Sequence, residues 1–578
     1  LSALGCIFSV KGQDNTFTHT VESGQTVYAI ATMYGTTPEQ IYKLNPQSKE
    51  KIKAGEKLLI PQTAESKIVA STKNTYFFHT IEPKETLYSL SIKYGVTASE
   101  IIDANPGLSI STFNIGKIIR IPASAEKAKP TQQKVKKETV KYSDYKVGKK
   151  ETFYHICRKF GVTTEQLVAA NPQLKNGLKA GETIKIPEVV VEETTVSTTH
   201  RESESEANSL LANVKQSTPV DMVKVSLLLP FMIGEKPQSQ ASARFVEYYE
   251  GLLLAIDSLR NIGNSVELNV YDTGNGTKKV KEILSKPELK NSNLIIGAVQ
   301  NDQIAVVAAF AEKNKIKYVI PFTSKNDDVL SNAFVYQVNT PHSYLYAKAA
   351  EAGYSLFSKD NIIILNMPEE TGKKEFIKTF ETELDDKHVS YKELTYNAEM
   401  FAEQLEGLLA DGKKNVIVPS SGALSALNKI CAPIRMIMEN RPEIRISLFG
   451  YPEWQTYAKE HLDDFYAMDT YIYTNFYADN LSGEVSDFYN RYKKWYSKPL
   501  INTYPKYGIL GFDTGMFFIG SISKYGTQFE NSLGRINYKS LQTGFDFNRV
   551  NNWGGFINTN IFIVHYQKDF KITRKAVK

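Results

Sequence analysis

With 578 residues the chain is too long for one ordinary hydrophobic core, so several domains are expected. Its 42% hydrophobic and 23% charged content is that of a globular protein and excludes a disordered or fibrous chain. The formal charge of +6 is small for this length and spread out, which argues against a nucleic-acid binder.

Three distant cysteines, Cys6, Cys157 and Cys431, exclude a disulfide framework and a Cys-rich zinc site. No run is apolar and long enough to span a bilayer as a helix. Leu1–Val10 is nearly all apolar and small, and polar residues follow from Lys11. Residues 1–12 read as the back end of a secretory signal. Leu4-Gly5-Cys6 reads alternatively as a lipoprotein cleavage site that leaves a lipid anchor on Cys6. Either form implies export across the inner membrane to the periplasm or cell envelope.

A pattern then recurs three times. Gly35-Thr36-Thr37, Gly95-Val96-Thr97 and Gly161-Val162-Thr163 are each followed by Asn-Pro, at Asn45-Pro46, Asn105-Pro106 and Asn171-Pro172. Each unit closes on a glycine and Ile-Pro: Gly55 with Ile60-Pro61, Gly116 with Ile121-Pro122, Gly181 with Ile186-Pro187. Val27, Ile30, Ala31 and Tyr34 fall on one face of a short helix, as do Leu87, Leu90, Ser91 and Tyr94, and Phe153, Ile156, Cys157 and Phe160.

The glycines suit a left-handed helix stop, and Thr37/Gln40, Thr97/Glu100 and Thr163/Gln166 read as capping boxes of a second helix. With strands before and after, each unit is predicted to be strand–helix–helix–strand. His19 and His79 occupy equivalent strand positions where the third unit has Tyr145, an exchange no metal site would tolerate. They read as structural, and Cys157 as an inert packing residue.

This pattern resembles the lysin motif, LysM, over residues 18–61, 77–122 and 144–187. The resemblance implies binding of N-acetylglucosamine-containing glycans, chiefly peptidoglycan, in a groove between the loop after the first strand and the loop after the second helix. Carried over, the first groove would use Gly24, Thr26, Val27, Asn45, Pro46 and Ile52. The second would use Thr86, Leu87, Asn105 and Pro106, and the third Thr152, Phe153, Asn171, Pro172 and Leu178. Lys84 and Lys150 replace Gly24, and Phe153 is bulky, so the grooves differ. A basic linker at 123–143, with Lys127, Lys129, Lys134, Lys136, Lys137 and Pro130, reads as disordered, and a Ser/Thr/Glu-rich linker spans 188–221. On flexible linkers, three weak sites would gain by avidity.

From residue 222 to 578 apolar runs alternate with amphipathic helices in two successive sets, which predicts two parallel-sheet lobes. Val223–Leu229, Leu294–Gly297, Tyr318–Ile320, Asn361–Leu365, Asn415–Val418 and Ile446–Phe449 read as buried strands. Leu541–Asp546 and Phe556–Val564 read as late ones. The aromatic tail, including Tyr471, Tyr473, Phe476 and Tyr492, reads mainly as packing. The layout, with Leu227-Leu228-Leu229-Pro230, Ile295-Ile296-Gly297 and Gly511-Phe512-Asp513-Thr514-Gly515, resembles the type 1 periplasmic binding protein fold. That fold serves leucine-binding-type receptors and lipoprotein activators of peptidoglycan synthases.

The fold class expected is therefore multidomain: three small βααβ LysM modules, then a two-lobed α/β domain. The resemblance implies an interlobe site at the carboxyl ends of the strands, from Phe231, Gln300, Asn301, Thr323 and Ser324 on lobe one. Lobe two would offer Asn366, Ser420, Ser421, Tyr451 and Glu453. The Ser-Gly expected after the first strand is replaced by Met232-Ile233-Gly234, against an amino-acid clamp of the usual kind.

No HExxH, nucleophile elbow, papain-like cysteine or phosphate-binding glycine loop occurs, so no catalytic residue, cofactor or metal is assigned. The expected function is non-catalytic: peptidoglycan binding plus a small solute or wall fragment between the lobes. The alternative is a regulator of a peptidoglycan synthase or other envelope machine, acting by contact with an envelope protein.

Overall fold

A computed structural model describes residues 16–62, 76–122, 132–149, 151–197, 202–212, 218–234, 239–368 and 372–577. The leading segment with Cys6, the basic residues Lys127 and Lys129 with Pro130, and Lys150 lie outside the described residues.

The first module runs β1 (Thr16–Thr20), α1 (Val27–Tyr34), α2 (Pro38–Leu44), β2 (Lys57–Pro61). The second runs β3 (Tyr76–Thr80), α3 (Leu87–Tyr94), α4 (Ala98–Ala104), β4 (Ile118–Pro122). The third runs β5 (Gln132–Lys146), α5 (Phe153–Phe160), α6 (Thr164–Ala170), β6 (Thr183–Ser197). In each, the two strands pair antiparallel and the helices cover them. Gly35, Gly95 and Gly161 stop the first helices in the left-handed region, at φ of 66°, 68° and 66°. Thr97 with Glu100 and Thr163 with Gln166 form complete capping boxes. The first module has half of one, because Gln40 turns to the Thr36 hydroxyl.

The linkers differ from expectation. From Gln132 the basic segment is strand, not disordered coil. It pairs with the continuation of β6, and the register sets Lys136 opposite Glu193 and Lys137 opposite Glu192. The acidic linker contains α7 (Glu204–Ala212).

The remaining chain forms two lobes. In lobe one, β7 (Met222–Leu229), α8 (Gln240–Asn261), β8 (Ser265–Asp272), α9 (Thr277–Leu284), α10 (Pro287–Lys290), β9 (Leu294–Gly297), α11 (Asn301–Asn314), β10 (Lys317–Ile320) and β11 (Val335–Gln337) follow in order. Lobe two takes α12 (His342–Phe357), β12 (Asn361–Asn366), α13 (Lys374–Asp386), β13 (Tyr391–Thr395), α14 (Phe401–Leu408), β14 (Lys414–Pro419), α15 (Leu424–Asn440), β15 (Arg445–Gly450), α16 (Ala458–Ala467) and β16 (Thr470–Thr474). Then α17 (Gly483–Tyr496) and α18 (Tyr507–Tyr525) return to α8 of lobe one, followed by β17 (Phe547–Arg549) and β18 (Phe556–Asn558). β19 (Ile561–Tyr566) and β20 (Ile572–Val577) end on lobe two.

Each sheet has the same doubly wound order. Lobe one reads β8-β7-β9-β10-β11 and lobe two β13-β12-β14-β15-β16, all parallel, each finished by two late strands. Both faces of these strands are covered by helices, hence their unbroken apolar runs. The predicted single strand Phe556–Val564 is two strands in different lobes. Thr559 and Asn560 cross between them. The predicted strand Leu541–Asp546 is instead an irregular segment with one isolated β-bridge, Phe476 with Thr543, held otherwise by side-chain and loop hydrogen bonds.

The chain divides into two units, Ser124–Ser203 and the rest. The third module, in the first of these, has its own core of Val147, Ile156, Leu167, Leu174, Ile184 and Ile186. The first two modules do not ride free on flexible linkers. Phe17 and Tyr34 of the first and Phe78 of the second share a cluster with Ile304, Val307 and Trp553 of lobe one. Ring centroids lie 5.9 Å apart for Tyr34–Trp553 and 5.4 Å for Phe78–Trp553, and the Arg120 guanidinium lies 4.9 Å over Trp553. Among the described residues no helix is long and apolar enough to cross a membrane.

Candidate glycan grooves and interlobe site

The Asn-Pro asparagines, expected to read sugar, are structural braces. Asn45 Nδ2 donates to the Ile41 and Leu59 carbonyls at 2.9 and 2.8 Å, while Oδ1 accepts from Leu59 N at 2.9 Å. Asn105 repeats this with Ile101 and Arg120, and Asn171 with Leu167 and Lys185. All three are buried. Each fastens the end of the second helix to the closing strand, leaving no side-chain atom for a ligand.

Thr26, Thr86 and Thr152 are N-caps of the first helices, and Val27 and Leu87 lie in the cores. At or near the surface, besides these threonines, are Gly24, Pro46 and Ile52, then Pro106, then Phe153, Pro172 and Leu178. Lys84, at the Gly24 position, sits at φ 71°.

His19 and His79 are structural, as expected. His19 joins Tyr34 OH through Nδ1 and Gln25 through Nε2, both at 2.8 Å. His79 joins Tyr94 at 2.9 Å and Glu85 at 2.5 Å, and in the third module the Tyr145 hydroxyl reaches Glu151 at 2.8 Å. One brace therefore survives three different side-chain pairs. Desolvation holds the His19 pKa below its ordinary value, with Lys117 adding to this and Gln25 and Glu22 opposing it. His19 is neutral when folded and takes up a proton when unfolded, so its module loses stability as pH falls below about 6.5. Urea midpoints between pH 7.5 and 5.5 should fall more for wild type than for His19→Gln; equal slopes would refute the assignment.

The three groove regions differ in their surroundings. Around the first, Gly24 lies against Tyr344 and the Tyr28 hydroxyl donates to Asp327 at 2.7 Å. Lys51 and Lys53 pair with Asp386 at 3.4 and 2.5 Å, and Ile52 packs on the cluster shared with lobe one. Around the second, Ala207 and Leu211 of α7 complete the core with Leu87, Leu90 and Ile101. Asn552 accepts from Gly107 N at 2.7 Å. In the third module Pro172 is exposed, Phe153 and Leu178 are half-buried, and Tyr154 beside them is 68% exposed.

Of the interlobe candidates, Tyr451 belongs to the core of lobe two: it is fully buried and its hydroxyl donates to the Pro419 carbonyl. Ser420 and Ser421 are buried and accept from Met367 N at 2.8 Å and Ala423 N at 3.1 Å. Phe231 lines a different space, a cavity of about 420 Å³ at the edge of lobe one with Met232, Ile233, Val246, Tyr249 and Val270. Gln300 bridges Gly276 N and Asn275, Asn366 donates to Glu393, and Asn301 is exposed at the start of α11. Thr323 and Ser324 are half-buried, with Thr323 capping Lys325 N at 3.0 Å.

Glu453 pairs with Lys373 at 2.7 Å, and Lys373 lies 5.0 Å over the Tyr451 ring. The residue missed from sequence is His342. It is exposed, stacks on Tyr346 at 5.4 Å, and has Lys325 of lobe one and Lys373, Glu375 and Glu453 of lobe two as its charged neighbours. Its signal was its place directly after Thr340-Pro341, where the chain first crosses between lobes.

Among the described residues one group has metal-ligand types close together, Cys431, His461 and Asp464. Both His461 nitrogens are engaged, with Asp464 and Asn428 at 2.8 Å, and Arg435 pairs with Asp464 at 3.0 Å. Burial pushes the Cys431 thiol up to about 12, so without a metal cation beside it the thiol is protonated at neutral pH and is no nucleophile.

The LysM domain family matches residues 19–61, 79–122 and 145–187. These three segments are LysM modules. The N-acetylmuramoyl-L-alanine amidase sle1 of Staphylococcus epidermidis is 26% identical over 191 residues, 32% of this chain and 55% of that protein. The enzyme of the same name from Staphylococcus saprophyticus is 32% identical over 118 residues, 19% of this chain and 34% of that one. The chain thus spans about half or less of these relatives' length.

Among solved structures, an ABC transporter substrate-binding protein from Desulfitobacterium hafniense in complex with Leu is 12% identical. Its TM-score is 0.39, over 61% of this chain and 100% of that one. A leucine binding protein from Thermotoga maritima is 16% identical with a TM-score of 0.36, over 62% and 99%. The LysM modules are followed by a two-lobed α/β domain in which one doubly wound strand order occurs twice.

Proposed function

We propose that this protein is a non-catalytic component of a bacterial cell envelope. Its LysM modules bind N-acetylglucosamine-containing glycan of peptidoglycan, and its two-lobed domain binds a small polar solute or wall fragment between the lobes. The observation that carries the glycan reading is the third module. It has a complete core of its own, and Phe153, Tyr154, Pro172 and Leu178 stay at least partly at its surface. Apolar side chains beside backbone amides suit the ring face and acetamido group of an amino sugar. The interlobe reading is supported by His342, Lys325, Lys373 and Glu453, groups from both lobes that offer charges of both signs. Thr323 and Ser324 belong to the same proposed site.

The test is co-sedimentation of the full chain with purified sacculi. Wild type should be retained, and Leu178→Asp with Pro172→Asp should lower retention about tenfold or more. Unchanged retention removes the third groove from the proposal. For the lobes, a muropeptide or amino-acid panel should raise the melting temperature, and a panel with no effect favours the second reading. That reading is contact with an envelope protein, supported by the apolar cavity around Phe231, Tyr249 and the 80% exposed Ile233.

A further inference from the structure

The groove closest to the LysM pattern is the one whose rim the rest of the chain touches. The first module meets the two-lobed domain in two chemically different places. One is the buried aromatic cluster of Phe17, Tyr34, Phe78 and Trp553, which fixes the module to lobe one. The other runs along the two loops that would wall the glycan groove. On the first wall, Gly24 lies so close to Tyr344 that an added Cβ would stand 2.7 Å from its ring, and Tyr28 beyond it bonds Asp327. On the second wall, Lys51 and Lys53 grip Asp386.

Asp327 belongs to lobe one. Tyr344 opens α12 and Asp386 ends α13, both helices of lobe two. The module therefore straddles the lobes: a dry apolar contact that Ile52 and Tyr344 also join holds it to lobe one, Tyr28 adds a bond to the same lobe, and Tyr344 and Asp386 hold its groove rim to lobe two.

The two contacts differ in strength. The aromatic cluster is fully packed, whereas Lys51, Lys53 and Asp386 stay 33%, 56% and 29% exposed, the regime in which single ion pairs contribute little. The lysine pairs with Asp386 are the part of the rim that can yield while the apolar cluster, with Ile52 and Tyr344 against it, holds. Gly24 also acquires a second reason to be glycine: besides its φ of +82°, it has no room for a side chain beneath Tyr344.

We propose that the first LysM module is a latch: its groove is held shut by Tyr344, Asp327 and Asp386, and an N-acetylglucosamine-containing glycan strand entering the groove releases lobe two from the module. The proposal rests on the glycan reading above and adds regulation to it. Glycan and lobe two compete for one surface, so the groove's apparent affinity is its intrinsic affinity reduced by the fraction of unlatched molecules. By linkage, any ligand that moves lobe two away from the module tightens glycan binding by the same factor with which glycan favours that ligand.

The experiment uses the full chain carrying Leu178→Asp, which silences the third groove, titrated calorimetrically with the N-acetylglucosamine hexamer. Adding Tyr344→Ala and Asp386→Ala, both outside the groove, should tighten binding about tenfold or more. It should also speed hydrogen exchange across residues 21–28 and 45–56. Asp386→Ala alone, a surface change that spares the fold, should shift both readouts the same way by a smaller factor. Equal affinity and exchange with and without these changes overturn the latch while leaving glycan binding intact. If the hexamer binds neither these chains nor the chain with an intact third groove, the glycan reading fails and takes the latch with it.

Discussion

Replacing Asp513 with alanine is expected to destabilise lobe one by about 3–5 kcal/mol, because it strands three backbone N–H groups at once, two buried and one part-buried. The carboxylate accepts from Leu541 N, Gln542 N and Thr543 N, each at 2.8 Å, and from the Tyr538 hydroxyl at 2.9 Å. Asp513 is fully buried on α18, the helix that lies against α8. That contact is close because Gly251, Gly508, Gly511 and Gly515 line it: a Cβ on Gly511 would stand 2.0 Å from the Tyr248 carbonyl. The same helix turn thus sets the depth of the helix pair and pins the segment that leads into β17.

A loss of this size rivals the net stability of a whole domain. Asp513→Asn should cost less than alanine, since one oxygen still accepts while the amide nitrogen faces donors. Urea unfolding with hydrogen exchange across residues 507–525 reads the effect. A cost below about 1 kcal/mol for alanine would show that water takes over the three N–H groups.

Gly511-Phe512-Asp513-Thr514-Gly515 was legible as part of the fold's layout, but not as a brace, since its partners run from Tyr538 to Thr543 and no local pattern links them. The same division runs through the chain. The parallel strands were legible because burial on both faces leaves apolar runs such as Leu227-Leu228-Leu229 and Ile362-Ile363-Ile364. β13 was missed because it is an edge strand whose Lys392 and Glu393 are exposed. α7 hid in a Glu/Ser segment where only Ala207 and Leu211 are buried.

The contacts at the rim of the first groove could not be read at all. Gly24 and Lys53 carry no mark of Tyr344 or Asp386, more than three hundred residues away, and the Asn551-Asn552-Trp553 loop gives no local sign that it receives two modules. Conversely, the asparagines were legible by their recurrence but not as braces: the regularity of Asn-Pro reflects a backbone requirement met three times over. Sequence periodicity reports what an element does for its own fold, and the surfaces it meets at long range leave no periodic trace.

The asparagine braces give the second large effect. Asn171→Ala is expected to cost the third module about 2–4 kcal/mol, by leaving the Leu167 and Lys185 carbonyls and Lys185 N without their shared partner. Asn105→Ala should do the same to the second module through Ile101 and Arg120. Asn171→Asp is the informative companion, because it keeps the acceptor for Lys185 N but sets a buried carboxylate oxygen against the Leu167 and Lys185 carbonyls, so near neutral pH it should cost at least as much as alanine. If the asparagine read the sugar directly, Asn171→Ala would weaken hexamer binding with the unfolding midpoint unchanged. If it is the brace seen here, binding and hydrogen-exchange protection across residues 152–186 should fall together. At low temperature or in a stabilising osmolyte, where the variant refolds, affinity should return. Recovery of binding with recovery of fold separates a residue that holds the groove from one that touches the ligand, and leaves Phe153, Pro172 and Leu178 as the side chains whose loss should weaken binding without unfolding the module.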